Sequence, residues 1–171
     1  MNGDVTANEA VLRSIRHEVW ADLELLRYCE TLTPEQLRWT VPGTYGAIHN
    51  TLHHIVGAQR GYLFRLTGQE DPAKDFTRET GRLLPLSELV AQEERIGARL
   101  EAFLATPFAG GRLVPTRDGT ATAGVVLAQL IHHGSDHRAH AGTILGAHGV
   151  TPPELDVWRY GIAIGEVKVS G

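Results

Sequence analysis

Apolar side chains recur at three- or four-residue steps in four separate stretches of this chain, a period that buries a single face only as an α-helix. In the first stretch, about 8–30, they are Leu12, Ile15, Val19, Leu23 and Leu26. Thr6 and Glu9 precede it with the spacing of a capping box, in which each side chain satisfies a free backbone N–H of the other. The second, about 46–66, carries Ile48, Leu52, Ile55, Tyr62 and Leu66. The third, about 87–106, carries Leu89, Ile96, Leu100, Phe103 and Leu104, with Ser87 as its expected cap and Pro107 beyond its end. The fourth, about 122–148, stops at Gly149, a residue suited to the left-handed position after a helix.

What lies between these stretches is shorter or more polar. Thr33-Pro34-Glu35-Gln36 has the chemistry of a helical first turn, with Thr33 capping and Gln36 closing the box. Residues 67–85 are polar, with glycines and prolines, and read as a long loop. The tail from Pro152 holds Leu155, Trp158, Tyr160, Ile162 and Ile164, enough for one short helix or turn against the rest. No strand pair is expected. The predicted architecture is an all-α four-helix bundle in one domain, residues 1–171. The long loop permits a crossover, so simple up-and-down order does not follow.

Composition narrows the function classes. With 16 Lys+Arg against 20 Asp+Glu the net charge is −4, and no dense basic cluster is present, so nucleic acid is not an expected partner. No stretch approaches the roughly 20 apolar residues of a membrane helix, so no membrane partner is expected. Residues 1–9 lack the basic and apolar segments of a signal peptide. Cys29 is the only cysteine, which excludes an internal disulfide and suits a reducing, cytoplasmic setting. A chain of 171 residues can bury a core unaided, so a bound metal would serve function rather than folding.

Nine histidines are the unusual count, and seven of them fall within 49–54 and 132–140. At 100° per residue, Val126, Leu130, His133, His137, Ala141 and Ile144 share an arc of about 80°. This places His133 and His137 within the expected apolar stripe, one turn apart, where both could reach one ion. A shared ion also relieves the cost of burying two unpaired imidazoles. A hydrogen-bonded histidine pair is the bland alternative. The helix carrying 46–66 could supply a third ligand. His49 and His53 lie on one flank of its apolar face, and His54 on the other with Ala47 and Ala58, whose small size suits close helix approach.

Two local patterns carry a family resemblance, with weaker support from a third. Leu52-His53-His54-Ile55-Val56 resembles a motif in which a histidine precedes two aliphatics. His133-Gly134-Ser135-Asp136-His137-Arg138 resembles an H-x-x-x-H-R motif, and Pro153-Glu154-Leu155-Asp156-Val157-Trp158-Arg159-Tyr160 resembles the usual ending. In order and separation these resemble the DinB/YfiT-like superfamily over about 9–162.

That resemblance implies a four-helix bundle with one long crossover, often a homodimer, with His54, His133 and His137 around one divalent ion. Zinc or nickel is the foremost expectation, with iron also accepted. Some relatives are transferases or isomerases that use a low-molecular-weight thiol such as bacillithiol or mycothiol. The chain departs from the common pattern at Asp136, where a histidine is frequent, and at His140, where a glutamine is frequent.

The expected function is therefore a metal-dependent enzyme of the thiol S-transferase or hydrolase type. The alternative is a non-catalytic bundle that binds a metal or small ligand in a stress response. Three neutral imidazoles leave the ion its full charge and open positions, enough to activate water or a thiol. Gln59, Asn50 and Asp136 are candidates to orient the imidazoles from behind. His140 is expected at the rim or supporting a ligand, and Asp136 could orient His132 or His140. Arg138 either pairs with a carboxylate at a helix contact, the favoured role, or contacts an anionic substrate. Cys29 is expected to fill the core, and Trp20, Trp39 and Trp158 to pack. Gly110-Gly111 and Asp118-Gly119 are turn signals.

Overall fold

The computed structural model describes residues 4–69 and 82–169, with side chains from residue 9 onward. Four long helices form the body: α1 (Asp4–Cys29), α2 (Ile48–Thr67), α3 (Leu86–Leu104) and α4 (Ala123–Ala147). A 3-10 turn (Gln36–Arg38) precedes α2, and a short helix α5 (Val157–Ala163) ends the fold. The side chain of Thr6 lies outside the described residues, and so do residues 70–81 of the expected loop. The second capping box is in place. Thr33 N–H donates to Gln36 Oε1 at 2.7 Å, and Gln36 N–H to Thr33 Oγ1 at 3.2 Å.

Contacts between named residues fix how the helices run. Arg16 meets Glu101 and Arg27 meets Glu94, so α1 and α3 are antiparallel. His54 meets His137 while Tyr62 meets His133, so α2 and α4 are antiparallel too. Gly134 lies against Glu18 and Arg138 reaches Asp22, which makes α1 and α4 parallel. His49 bonds to the Leu84 carbonyl and Arg99 to that of Gln69, which makes α2 and α3 parallel. The order is up, down, down, up. The consecutive helices α1 and α2 are diagonal partners, each packed on both α3 and α4. The described chain thus leaves α2 at Gln69, beside Arg99, and resumes before α3 at Leu84, beside His49, at the other end of the bundle.

The bundle core is apolar with one polar level through its centre. The buried lines are Ile15, Glu18, Asp22, Leu25, Cys29 on α1 and Leu52, Ile55, Gln59, Leu63, Leu66 on α2. On α3 the line is Leu89, Glu93, Ile96, Leu100, and on α4 it is Leu130, Gly134, Arg138, Ala141, Leu145. Each helix keeps its three-to-four period but inserts one polar residue, or two on α1, along its buried line.

The expected absence of strands is corrected by a hairpin, β1 (Leu113–Thr116) with β2 (Gly119–Thr122), paired antiparallel with Leu113 opposite Thr122. Arg117-Asp118 makes its two-residue turn, and Gly119 takes a φ of 147°. Asp-Gly between short runs is a strong hairpin signal, and the strands are too short, with only Val114 buried, to show alternation. The hairpin leads directly into α4, where Thr122 Oγ1 accepts from Val125 N–H as the cap.

Several boundaries also differ from expectation. Helix α2 starts at Ile48 rather than Gly46, and α3 starts at Leu86, with Pro85 rather than Ser87 in the cap position. Gly149 has the expected positive φ, 76°. Trp158 is 75% exposed and does not pack. It points about 200° from Tyr160 on the short α5, and Tyr160 is the residue turned to the bundle.

Candidate metal centre

The antiparallel contact of α2 with α4 brings three imidazoles together. His133 and His137 stand one turn apart on α4, and His54 faces them from α2. Ligand-capable nitrogens of the three lie within 4.8 Å of one another, the one such group of histidine, cysteine or acidic side chains among the described residues. His133 Nε2 and His54 Nε2 are 2.9 Å apart. Two ligands of a tetrahedral ion bonded at 2.0–2.1 Å lie about 3.3 Å apart, so small ring movements would seat an ion. By donor type and spacing the three residues fit a divalent metal.

The neighbouring histidines are engaged otherwise. His49 Nε2 lies 2.7 Å from the Leu84 carbonyl oxygen and ties α2 to the approach to α3. His53 lies outside the group, and His132 is exposed. His140 is half-buried, its ring 5.4 Å from that of His137. The expected position of the pair within the apolar stripe needs adjustment. The buried line of α4 runs through Gly134 and Arg138, and His133 and His137 flank it, half-buried. The triad therefore sits in the seam between α2 and α4, not at the bundle axis, and that position gives it a path to solvent.

Burial and mutual proximity keep the imidazoles neutral. Burial, then His137 and His54, lower the pKa of His133 to about 4. Burial also lowers that of His54, and burial followed by His54 and His140 lowers that of His137. The exposed Asp136 carboxylate opposes the shift at His133 and His137 without bonding to either among the described residues. Neutral imidazole is the ligand form.

The support expected behind the ligands is not where it was sought. Gln59 donates from Nε2 to Asp22 Oδ2 and does not orient the triad. Asn50 is exposed. The Nδ1 atoms of His133, His137 and His140 are buried without partners among the described residues.

Two tyrosines frame the site: Tyr62, expected only on the apolar face of its helix, and Tyr45, which the sequence-based expectations did not name. The Tyr45 ring stacks on His54 at 4.2 Å and 16°, and stands at 85° to His137 at 4.8 Å. Tyr62 meets His133 at 5.7 Å and 77°. A tight turn delivers Tyr45: Thr44 N–H donates to the Val41 carbonyl, with Pro42 and Gly43 between them and Gly43 at φ 89°. Pro followed by Gly is the preference of a type II turn. Its sequence signal, Val41-Pro42-Gly43-Thr44, was legible, but its aim at the histidines was not.

Arg138 takes the role of a helix-contact partner. Its guanidinium is 7% exposed and bonds both Glu18 oxygens at 2.8 Å and Asp22 Oδ1 at 2.7 Å. Every strong acceptor it has points to α1, away from the seam. Cys29 fills the core, its thiol pushed up to about 12 by burial.

A sequence model of the DinB family matches residues 4–164, nearly the whole chain. The chain belongs to the DinB family. No curated protein matches it. In this DinB chain the segment from His133 to Arg138 divides between two sides of one helix: two imidazoles toward α2, one guanidinium toward α1. Among the described residues of this DinB chain, no helix is long and apolar enough to cross a membrane.

Proposed function

We propose that this DinB protein is a metal-dependent enzyme, of the thiol S-transferase or hydrolase type, whose ion is held by His54, His133 and His137. The observation that carries the reading is the convergence of three neutral imidazoles from two helices within 4.8 Å. When bound there, a divalent ion supplies Lewis-acid chemistry, lowering the pKa of a coordinated water or low-molecular-weight thiol. Zinc or nickel suits the donor set best, and iron is accepted. The protein's own residues hold the ion, leave its solvent side open along the α2–α4 seam, and place His140 beside His137 at the rim. A single domain, a homodimer and a cytoplasmic setting belong to the same reading.

Elemental analysis of untagged protein, wild type beside His137→Ala, tests the metal. About one equivalent in the wild type and a large loss in the variant supports the reading, and no metal in either overturns it. A panel of thiols with electrophilic and hydrolysable substrates then tests catalysis. Turnover that stops on chelation and returns with metal supports an enzyme. Stoichiometric metal with no turnover on any of them favours the non-catalytic binding module.

A further inference from the structure

Tyr45 has no evident structural reason to be aromatic. The residue is 49% exposed, and its hydroxyl has no hydrogen-bond partner among the described residues. The loop that carries it is secured by other residues. Ile48 N–H donates to the Trp39 carbonyl, Trp39 stacks on His148 at 4.3 Å and 9°, and the Val41–Thr44 turn closes on itself. The ring contacts of Tyr45 are with His54 and His137, two of the three proposed ligands. Ile55 and Gly134, the chain neighbours of His54 and His133, are buried, whereas the three imidazoles are half-buried. Of the rings at the site Tyr45 is the exposed one, the others being half-buried, so it covers His54 and His137 from the solvent side.

We infer that Tyr45 is a specificity-determining residue, a fixed aromatic screen that admits slim ligands to the metal's open positions and turns away broad ones. The inference rests on the metal reading above. Because the turn sets the backbone and both imidazoles abut the ring, the screen acts by occupying space, not by donating a proton. The ligands admitted are small neutral or anionic donors, such as an unbranched thiolate or a five-membered heterocycle. A donor broadened by a second ring is excluded. A difference in ligand size that a site cannot accommodate discriminates by about ten- to a hundredfold.

The test uses full-length protein loaded with cobalt(II), whose visible absorption reports exogenous ligands. Imidazole and 4-phenylimidazole present the same donor and differ in breadth. In the wild type, imidazole is expected to bind and 4-phenylimidazole to bind poorly. Tyr45→Ala should tighten 4-phenylimidazole about tenfold or more while imidazole shifts about twofold or less. Tyr45→Phe, which keeps the ring, should retain the wild-type discrimination. Equal shifts for both ligands in Tyr45→Ala, no shift for either, or a Tyr45→Phe variant that behaves like Tyr45→Ala would overturn the screen. Wild-type protein that takes up no cobalt overturns the metal reading, and the screen with it. Cobalt content and circular dichroism, measured on each variant, separate that failure from a selective failure at Tyr45.

Discussion

The guanidinium of Arg138 grips Glu18 at two points, Nη1 to Oε1 and Nη2 to Oε2, both at 2.8 Å, across the parallel contact of α4 with α1. Asp22 takes a third bond at 2.7 Å. All three side chains are buried, so removing the cation alone strands two carboxylates in the core. Arg138→Ala is expected to cost about 3–5 kcal/mol, the range for breaking a buried pair by deleting one partner. Replacing the set together, as Glu18→Gln, Asp22→Asn and Arg138→Met, should recover much of that loss. Urea melts of the two variants beside wild type check both statements.

Gly134 is small because Glu18 needs the space. A Cβ at that position would lie 1.7 Å from Glu18 Oε1 and 2.9 Å from Arg138 Nη1. Glu18 is held by Arg138 and cannot swing aside freely, so Gly134→Ala should destabilise by about 1–3 kcal/mol. Gly146, also on α4, has nothing within 4 Å of such an atom, and Gly146→Ala is expected to be neutral or to stabilise by up to about 1 kcal/mol. Opposite signs in thermal melts would distinguish a steric effect from ordinary helix propensity.

Glu93 enters the same level from α3 with both oxygens buried and without partners among the described residues. Burial first, then Asp22 and Glu18, holds its pKa well above the ordinary 4.5, with Arg138 opposing. The folded form therefore keeps a proton that the unfolded chain gives up. Its contribution to stability is complete below about 4.5 and is lost as pH rises from there toward the raised folded value. Within that window the slope attributable to Glu93 is about 1.4 kcal/mol per pH unit, one proton's worth. Glu93→Gln, which stays neutral, should flatten the stability–pH curve. A variant whose curve runs parallel to wild type across the window would show that Glu93 is ionised in the fold.

Joining α2 to α4 through one ion should stabilise the fold by linkage. At a free metal concentration 100 times the Kd, the gain is about 2.7 kcal/mol. Zinc titration of metal-free protein is expected to raise the Tm of wild type and to leave His54→Ala nearly unmoved. Equal rises in both would place the stabilising ion elsewhere.

Much of this was legible in the sequence, and the limits were physical. The three-to-four period of apolar residues marked all four long helices, and His133 and His137 were one turn apart by spacing alone. Residue chemistry left His54 open against His49 and His53, and the family motif selected it. What periodicity missed were the polar members of the core lines: Glu18, Asp22, Gln59 and Glu93 sit at core spacings, but a reading that follows apolar residues passes over them. On α4 the same bias passed over Gly134 and Arg138, which lie on the buried line that His133 and His137 flank. Tyr45 was missed because a turn's aim depends on tertiary placement. The hairpin was missed because four-residue strands carry too little pattern, although Asp118-Gly119 was recognised as a turn.

Neighbouring residues on an α-helix diverge by about 100°, so Arg138 and His137 cannot choose their directions independently. With the guanidinium clasped by α1, the azimuth of α4 is set, and with it the bearing of both imidazoles toward α2. The face that carries His133 and His137 is thus aligned by an ion pair on another side of the same helix, about 100° round from His137. An ion seated between these rings would then need only ring torsions to adjust.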